Sequence, residues 1–214
     1  MAANDSGPTP TERLINGVLG ENPTFRQILG TCPTLAVTNN MKAALTMAGA
    51  VAFVLVCSNI VTSLIRGLIK PQHRILVFCL TIAGFVTIAD RFLAAYMYEM
   101  SKQLGPYVPL IIVNCIIIAR CEVCASKQGV LPSAADAIGQ AAGYLLALSA
   151  MASVREVLGD GKWLGLTVLP TLENGGVWDP WVIMLLPPGA FLTFGLLMGA
   201  VNWYTQRGKT PAGT

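Results

Sequence analysis

Four long apolar runs restrict the fold of this chain more than any other feature. They cover residues 43–65, 75–98, 134–157 and 181–203. A helix needs about 20 apolar residues to cross the hydrocarbon core of a bilayer, which is roughly 30 Å thick. The composition agrees with spanning helices, because 12% of the residues are charged against about 25% in soluble domains. We therefore predict an all-α integral membrane protein.

Two further apolar stretches are too short to cross a bilayer. Residues 28–37 contain Cys32, and residues 108–119 contain Cys115. Both stretches lie in a chain that otherwise consists of full-length spans, so we interpret them as half-helices that meet near the middle of the membrane. Together with the four long runs they give six transmembrane segments.

The order of short and long segments predicts an internal symmetry. Each of the two halves, about residues 21–104 and 105–207, has one short cysteine-bearing segment followed by two long ones. Because each half has an odd number of segments, the two halves are inserted into the membrane with opposite topology. This predicts an inverted 3+3 repeat within one membrane domain over residues 21–207. Short segments at matching positions of two such halves are typical of a site at the membrane midplane.

The loop charges and the tails predict the orientation. Most loop Lys and Arg, among them Arg66 and Arg74, fall on the side that holds the N-terminus, which indicates that this side is cytoplasmic. We expect cytoplasmic tails at residues 1–20 and 208–214. Residues 1–20 are polar and lack the apolar segment of a cleaved signal peptide. The net charge of +3, without a basic and aromatic cluster, argues against a nucleic-acid partner.

The cysteines are the candidates for a cofactor site. Thiolates in an apolar environment are costly unless a metal or a disulfide bond removes the charge. A [2Fe–2S] cluster is held by four thiolates, so Cys32 and Cys115 would be half of such a site and a second, similar chain would supply the rest. From the residues alone a shared cluster, a disulfide and simple packing of thiols all stay open.

Other chemistry-bearing residues are few. Asp90 lies within a predicted span, where a charge indicates either an ion pathway or a structural ion pair. His73 is the single histidine and lies in a basic loop. There is no phosphate-binding glycine loop followed by Lys and Ser or Thr. The inverted repeat alone also fits a secondary transporter, and a scaffold protein without a cofactor is a further alternative.

Four motifs resemble the Rnf/Nqr membrane subunit family, and the similarity covers about residues 15–205. The Pro-Pro run of the last motif and the Cys-Pro pair of the first favour the Rnf version. The motifs are Leu29-Gly-Thr-Cys-Pro-Thr-Leu-Ala-Val-Thr38, Asn114-Cys-Ile-Ile-Ile-Ala-Arg-Cys-Glu122, Arg155-Glu-Val-Leu-Gly159 and Leu186-Pro-Pro-Gly-Ala-Phe191.

The resemblance implies a fold, a cofactor and partners. It implies six segments in an inverted repeat and a pairing with a homologous membrane protein, the A-type subunit of the Rnf complex, with two cysteines of each chain holding one intramembrane [2Fe–2S] cluster. Cys32 and Cys115 fall on the matching positions and would bind iron. The implied protein is an electron-transfer subunit, without catalytic residues, of an ion-translocating ferredoxin:NAD⁺ oxidoreductase in the bacterial inner membrane. Nucleotide, flavin and further iron–sulfur sites would lie on other subunits, and Na⁺ or H⁺ would be translocated.

The chain departs from the family pattern after the second cysteine motif. The family usually has Gly-Arg-Ala-Glu-Ala-Phe where this chain has Ala119-Arg-Cys-Glu-Val-Cys124. The extra Cys121 and Cys124 share a helix face at i, i+3; we expect them to pack, with a redox or metal role as the alternative. Arg120 and Glu122 would pair with each other, orient the half-helix or dock a cytoplasmic redox subunit.

Overall fold

The computed structural model describes residues 22–67, 69, 71–163, 166–167 and 182–208. The helices are α1 Thr31–Val37, α2 Met41–Ile65, α3 Arg74–Tyr96, α4 Tyr98–Leu104, α5 Pro109–Ile112, α6 Cys115–Arg120, α7 Val130–Asp160, α8 Val182–Leu185 and α9 Pro187–Gly208. Turns of 3₁₀-helix cover Pro71–His73 and Gly105–Tyr107, and a π-helical turn covers Cys121–Ala125. Lys162–Trp163 pairs antiparallel with Leu166–Thr167. Apart from this short ladder, all regular structure among the described residues is helical, which confirms the all-α part of the prediction.

Three of the described helices are long and apolar enough to cross a membrane. They are α2, α3 and the Val130–Gly159 part of α7. A fourth candidate is the pair Tyr98–Tyr107 and Pro109–Ala125, which is bent by 56° and is either a broken span or a re-entrant loop. The described residues thus support three or four spans, and the count of six with its inverted repeat stays a prediction.

Two local features differ from the simple pattern of apolar runs. The polar residues 99–107, which lie between two apolar runs, form most of α4 and a 3₁₀ turn, because buried Leu104 anchors this segment to the core. The last run, expected as one helix, breaks at Leu186, and α9 begins at Pro187. Proline lacks an N–H and suits the first helical position, where no hydrogen bond is lost. The tail at residues 1–20 and residues 209–214 lie outside the described residues.

The centre of the domain is the contact between α2 and α7. Of the described helix pairs these two pack over the longest stretch, and α3 covers another side of α2. Met47 and Leu55 of α2 and Leu148 and Met151 of α7 are fully buried. Both helices are rich in alanine, and small residues let membrane helices approach closely where no hydrophobic effect drives association. The short cysteine-bearing helices pack against this pair.

Candidate functional site

The two cysteines singled out by the sequence lie at the beginnings of two short helices. Cys32 is the second residue of α1, which follows Gly30 in the left-handed region at φ +73°. Cys115 is the first residue of α6, which is capped by Asn114, whose Oδ1 atom accepts a hydrogen bond from the N–H of Ile116 at 3.2 Å. Local caps and turns therefore determine where both thiols lie.

These two helices meet in space. The backbone N–H of Gly30 donates a hydrogen bond to Sγ of Cys115 over 2.9 Å, although the two residues are 85 positions apart. The thiol of Cys32 is exposed and that of Cys115 is half-buried. None of the six cysteines, all of which lie within the described residues, forms a disulfide bond, so the disulfide alternative does not match this structure. The described residues contain no group of three or more His, Cys, Asp or Glu side chains that could hold a metal ion.

Buried polar atoms converge on the same place. A Cβ atom added to Gly30 would lie 2.9 Å from Cε2 of Tyr144 and 3.6 Å from Oδ1 of Asn114. Tyr144 is fully buried and Asn114 is 2% exposed. Within the described part of the chain, neither the Tyr144 hydroxyl nor Nδ2 of Asn114 has a hydrogen bond of good geometry. The turn before Cys32 is also strained, because Ile28 has a φ of +55°, unusual for a β-branched residue.

Arg120 connects the half-helix of Cys115 to its neighbours. Its Nη1 atom lies 3.5 Å from Oδ1 of Asp136 on α7, and its Nη2 atom donates to Oε1 of Gln27, 3.2 Å away. Glu122 instead pairs with Arg74 at 3.4 Å. The alternative in which Arg120 and Glu122 pair with each other is therefore wrong, because each side chain points to a different element. The contacts of Arg120 join the short helix of Cys115 to α7 and to the segment before α1.

The role of Arg155 is not visible in the sequence. Its position at the end of an apolar run suggests a charged residue in a loop. The side chain is instead only 1% exposed, because it binds the ends of two short helices. Nε and Nη2 donate to the carbonyls of Met184 and Leu185, at 3.0 and 3.1 Å, and Nη1 donates to the carbonyl of Leu35 and to Oγ1 of Thr38, at 3.3 and 2.7 Å. Carbonyls near the ends of α1 and α8, which have no partner inside their own helices, are thus satisfied.

Glu156 has a related role at the start of another helix. Its Oε2 atom accepts a hydrogen bond from the backbone N–H of Met41, the first residue of α2, at 2.9 Å. A carboxylate that binds a free N–H at a helix start satisfies a donor that the helix cannot. The signal in the sequence is the adjacent pair Arg155 and Glu156 at the end of an apolar run, since charges in such a position require partners.

The extra cysteines lie in a different environment. Cys121 is buried, and its Sγ atom is 3.3 Å from Oδ1 of Asn59 on α2, with the hydroxyls of Ser58 and Thr62 nearby. Cys124 is also buried, and its Sγ atom is 3.7 Å from Oε1 of Gln128. Both thiols are within a π-helical turn at the end of α6. These contacts describe thiols packed among polar side chains.

Comparison with known proteins identifies the family. A family model described as Rnf-Nqr subunit, membrane protein, matches residues 11–198. The chain belongs to the Rnf-Nqr family. It is 43% identical to the E subunit of the Na⁺-translocating ferredoxin:NAD⁺ oxidoreductase complex of Acetobacterium woodii, over 92% of this chain and 97% of that protein. It is 46% identical to the D subunit of the Na⁺-translocating NADH-quinone reductase of Aeromonas salmonicida, over 88% and 90% of the two chains.

A third relative is the D subunit of the Na⁺-translocating NADH-quinone reductase of Pseudomonas paraeruginosa. It is 42% identical to this chain, over 96% of this chain and 92% of its own length. The resemblance to the Rnf/Nqr membrane subunits is confirmed, with the E-type subunit of Rnf and its D-type counterpart in Nqr among the relatives. This Rnf-Nqr chain is a membrane subunit of an ion-translocating oxidoreductase complex. It has several apolar helices that can span a membrane.

Proposed function

We propose that this Rnf-Nqr subunit carries electrons through an intramembrane [2Fe–2S] cluster that it shares with a homologous membrane protein, the A-type subunit of the Rnf complex. Cys32 and Cys115 would bind iron from this side, and two cysteines of the partner would bind it from the other. The proposal rests on the hydrogen bond from Gly30 to Cys115, because it brings the helix of Cys32 against the other cysteine.

The residues at this place fit half of a cluster site. Two free thiols lie at the starts of adjacent helices, and thiolates are the usual ligands of [2Fe–2S] clusters. Because Cys32 is exposed, its thiol is accessible to a group held between two subunits. The N–H of Gly30 already donates to a sulfur, and such donors stabilise the negative charge of a thiolate. With two thiols here, a partner must supply the remaining ligands.

When bound, the cluster supplies one-electron transfer. The residues of this chain hold it, keep water from one side and position it within the membrane. The proposed route lies between cytoplasmic iron–sulfur subunits and outer-facing flavin subunits, with ferredoxin and NAD⁺ as the outer redox couple and Na⁺ or H⁺ as the transported ion. The relative from Acetobacterium woodii, a subunit of a ferredoxin:NAD⁺ oxidoreductase complex, supports this couple.

The topology supports a proposed inverted repeat. The first half contributes α1 followed by α2, and the second half contributes α6 followed by α7. The equivalent helices contact each other, since α2 packs on α7 and α1 meets α6 through Gly30 and Cys115. This arrangement is expected around a pseudo-two-fold axis through the cysteine pair. We place the complex in the bacterial inner membrane with both termini of this subunit in the cytoplasm.

Asp90 is the proposed contribution to the ion pathway. It is half-buried on α3, a candidate spanning helix. A carboxylate at such a depth is costly unless it serves an ion or a partner. Replacing it by Asn in the intact complex should lower ion transport without changing the iron content. The conservative replacement of Glu99 by Gln on α4 is the control, and equal transport by both variants would contradict a role for Asp90.

The cluster is tested in the complex purified from its native host. Cys32→Ser and Cys115→Ser should each remove the iron, the acid-labile sulfide and the electron paramagnetic resonance signal of one [2Fe–2S] cluster. Cys57→Ser and Cys79→Ser, at half-buried cysteines of α2 and α3, are matched controls that should keep all three. Unchanged iron and signal in the first pair would refute the assignment and favour a cofactor-free scaffold.

A further inference from the structure

We propose that a recess between the end of α2 and the start of α3 binds the phosphate group of an anionic phospholipid through Arg66 and Arg74. The proposal goes beyond electron transfer and is independent of the cysteine site, because it assigns a lipid to another part of this subunit. The ligand is a phosphodiester whose acyl chains lie in the bilayer, such as cardiolipin or phosphatidylglycerol.

The recess lies at the ends of two candidate spanning helices. Arg66 directly follows the last residue of α2, and Arg74 is the first residue of α3. Since both helices are long and apolar enough to cross a membrane, their ends are expected at the level of the lipid headgroups. The recess is lined by both arginines, two hydroxyl side chains and two apolar ones: Thr62, Arg66, Ile69, Arg74, Phe78 and Ser126.

The guanidinium group of Arg66 is available to a ligand. The residue is exposed, and its side chain makes no hydrogen bond or ion pair with the residues that the structure describes. A guanidinium group carries five N–H donors in a planar arrangement that matches the oxygen atoms of a phosphate. Arg66 therefore brings an unused set of phosphate-binding donors to the edge of the recess.

Arg74 is used only in part. Its Nη1 atom lies 3.4 Å from Oε1 of Glu122, and both side chains are partly exposed, at 35% and 43%. Ion pairs with such exposure contribute little to stability, so a phosphate can share this arginine. Lys127 is exposed on the turn that follows Ser126. The three cations outnumber the carboxylate of Glu122, and this end of the helix pair complements an anion.

The size of the recess favours a lipid over a free phosphate ion. Its volume of about 10 Å³ suffices for roughly one water molecule, so a phosphate group would lie across the mouth, against the two arginines. The hydroxyl of Ser126 already donates to the carbonyl of Glu122 at 2.6 Å. A free ion would gain few contacts here, whereas a lipid is also held by the bilayer. Basic pockets between membrane helices bind the headgroups of anionic lipids in this way.

The test uses the purified complex in mild detergent with a photoactivatable cardiolipin analogue. Cross-links should map to residues 62–78 of this subunit. Unlabelled cardiolipin should compete for the site, whereas phosphatidylcholine and inorganic phosphate should not. Arg66→Gln and Arg74→Gln should each weaken binding about fivefold, as expected for the loss of one cation near a lipid surface. Arg66→Lys, which keeps the charge, should bind more tightly than Arg66→Gln.

Arg91→Gln is the matched control, because Arg91 is an exposed arginine near the other end of α3, and it should bind the analogue like the wild type. Arg74→Gln also breaks the pair with Glu122, so Arg66→Gln decides, and wild-type affinity in that variant would overturn the proposal. Equal competition by inorganic phosphate would overturn the assignment to a lipid. A wild-type complex without cross-links at residues 62–78, as expected if another subunit covered the recess, would overturn it as well.

Discussion

Gly30 and Cys115 are joined by a hydrogen bond from the glycine N–H to the cysteine sulfur, 2.9 Å long, across 85 positions of sequence. The bond connects the turn before α1 with the first residue of α6. It requires the backbone of Gly30 to approach a side chain from the other half of the protein. The left-handed φ of +73° at Gly30 turns its N–H in this direction.

Gly30→Ala should disturb the cysteine site. An alanine there adopts a left-handed conformation at a cost of about 1–3 kcal/mol, and its Cβ atom would lie 2.9 Å from the ring of Tyr144. We expect a lower thermal midpoint of the purified complex and less iron per complex. Gly49→Ala on α2 is the control, because a Cβ atom at Gly49 meets nothing within 4 Å. Equal iron content in the two variants would show that this turn tolerates a side chain.

Arg155→Met should destabilise the subunit strongly. The change keeps an apolar stem but leaves the carbonyls of Leu35, Met184 and Leu185 without their donor. Each unpaired buried carbonyl costs about 1–3 kcal/mol. Thermal unfolding of the complex in detergent measures the loss. Arg91→Met, at an exposed position of α3, should leave the midpoint unchanged, and an equally small effect at Arg155 would mean that these bonds are replaceable by water.

The two ion pairs near the half-helix should differ in strength. The Arg120–Asp136 pair is 10% exposed on each side, whereas the Arg74–Glu122 pair is 35% and 43% exposed. Removing one partner of a buried pair costs about 3–5 kcal/mol, and an exposed pair contributes about 0–1 kcal/mol. Double-mutant cycles with Arg120→Gln and Asp136→Asn should give a large coupling energy that is insensitive to salt.

The matching cycle with Arg74→Gln and Glu122→Gln should give a small coupling energy that falls as salt is added. Similar coupling energies in the two cycles would contradict the difference in burial. The free energy of unfolding of each variant is the quantity to compare.

Gly189→Ala should weaken the junction between α8 and α9. A Cβ atom at Gly189 would overlap the carbonyl oxygen of Ile183 and the backbone of Met184, so the chain there would have to move. We expect a lower thermal midpoint and easier proteolysis of the C-terminal helix. Gly195→Ala lies in the same helix with nothing within 4 Å of its Cβ position, and it should be neutral. A neutral Gly189→Ala would show that the break at Leu186 is flexible.

Part of the architecture follows from the sequence. The long runs of α2, α3 and α7 are predictable because a stretch of about 20 apolar residues has few folds other than a spanning helix. The two cysteine-bearing stretches are recognisably too short to span a membrane, and the motifs that they contain indicate the family. The helix at Tyr98–Leu104 is not predictable, because its anchor Leu104 is buried by contacts with distant helices.

The roles of the charged residues also depend on the fold. From the sequence, Arg155 is expected to be a charged residue in a loop, because the position of a residue along the chain indicates its depth in the protein only approximately. The structure buries it against carbonyls of α1 and α8, which are distant in the chain. Arg120 and Glu122 are close enough in sequence to suggest a mutual pair. Their partners Asp136 and Arg74 come from other helices, which no local pattern specifies.

The sequence alone is enough to predict a helical membrane protein of the Rnf-Nqr family with Cys32 and Cys115 as its distinctive thiols. The length of an apolar run and the residues of a motif are local properties, which can be read directly from a sequence. The bond between Gly30 and Cys115, and the buried side chains of Tyr144 and Asn114 beside it, are visible only in the folded protein. These contacts join helices that are far apart in the chain, and helix packing alone creates them.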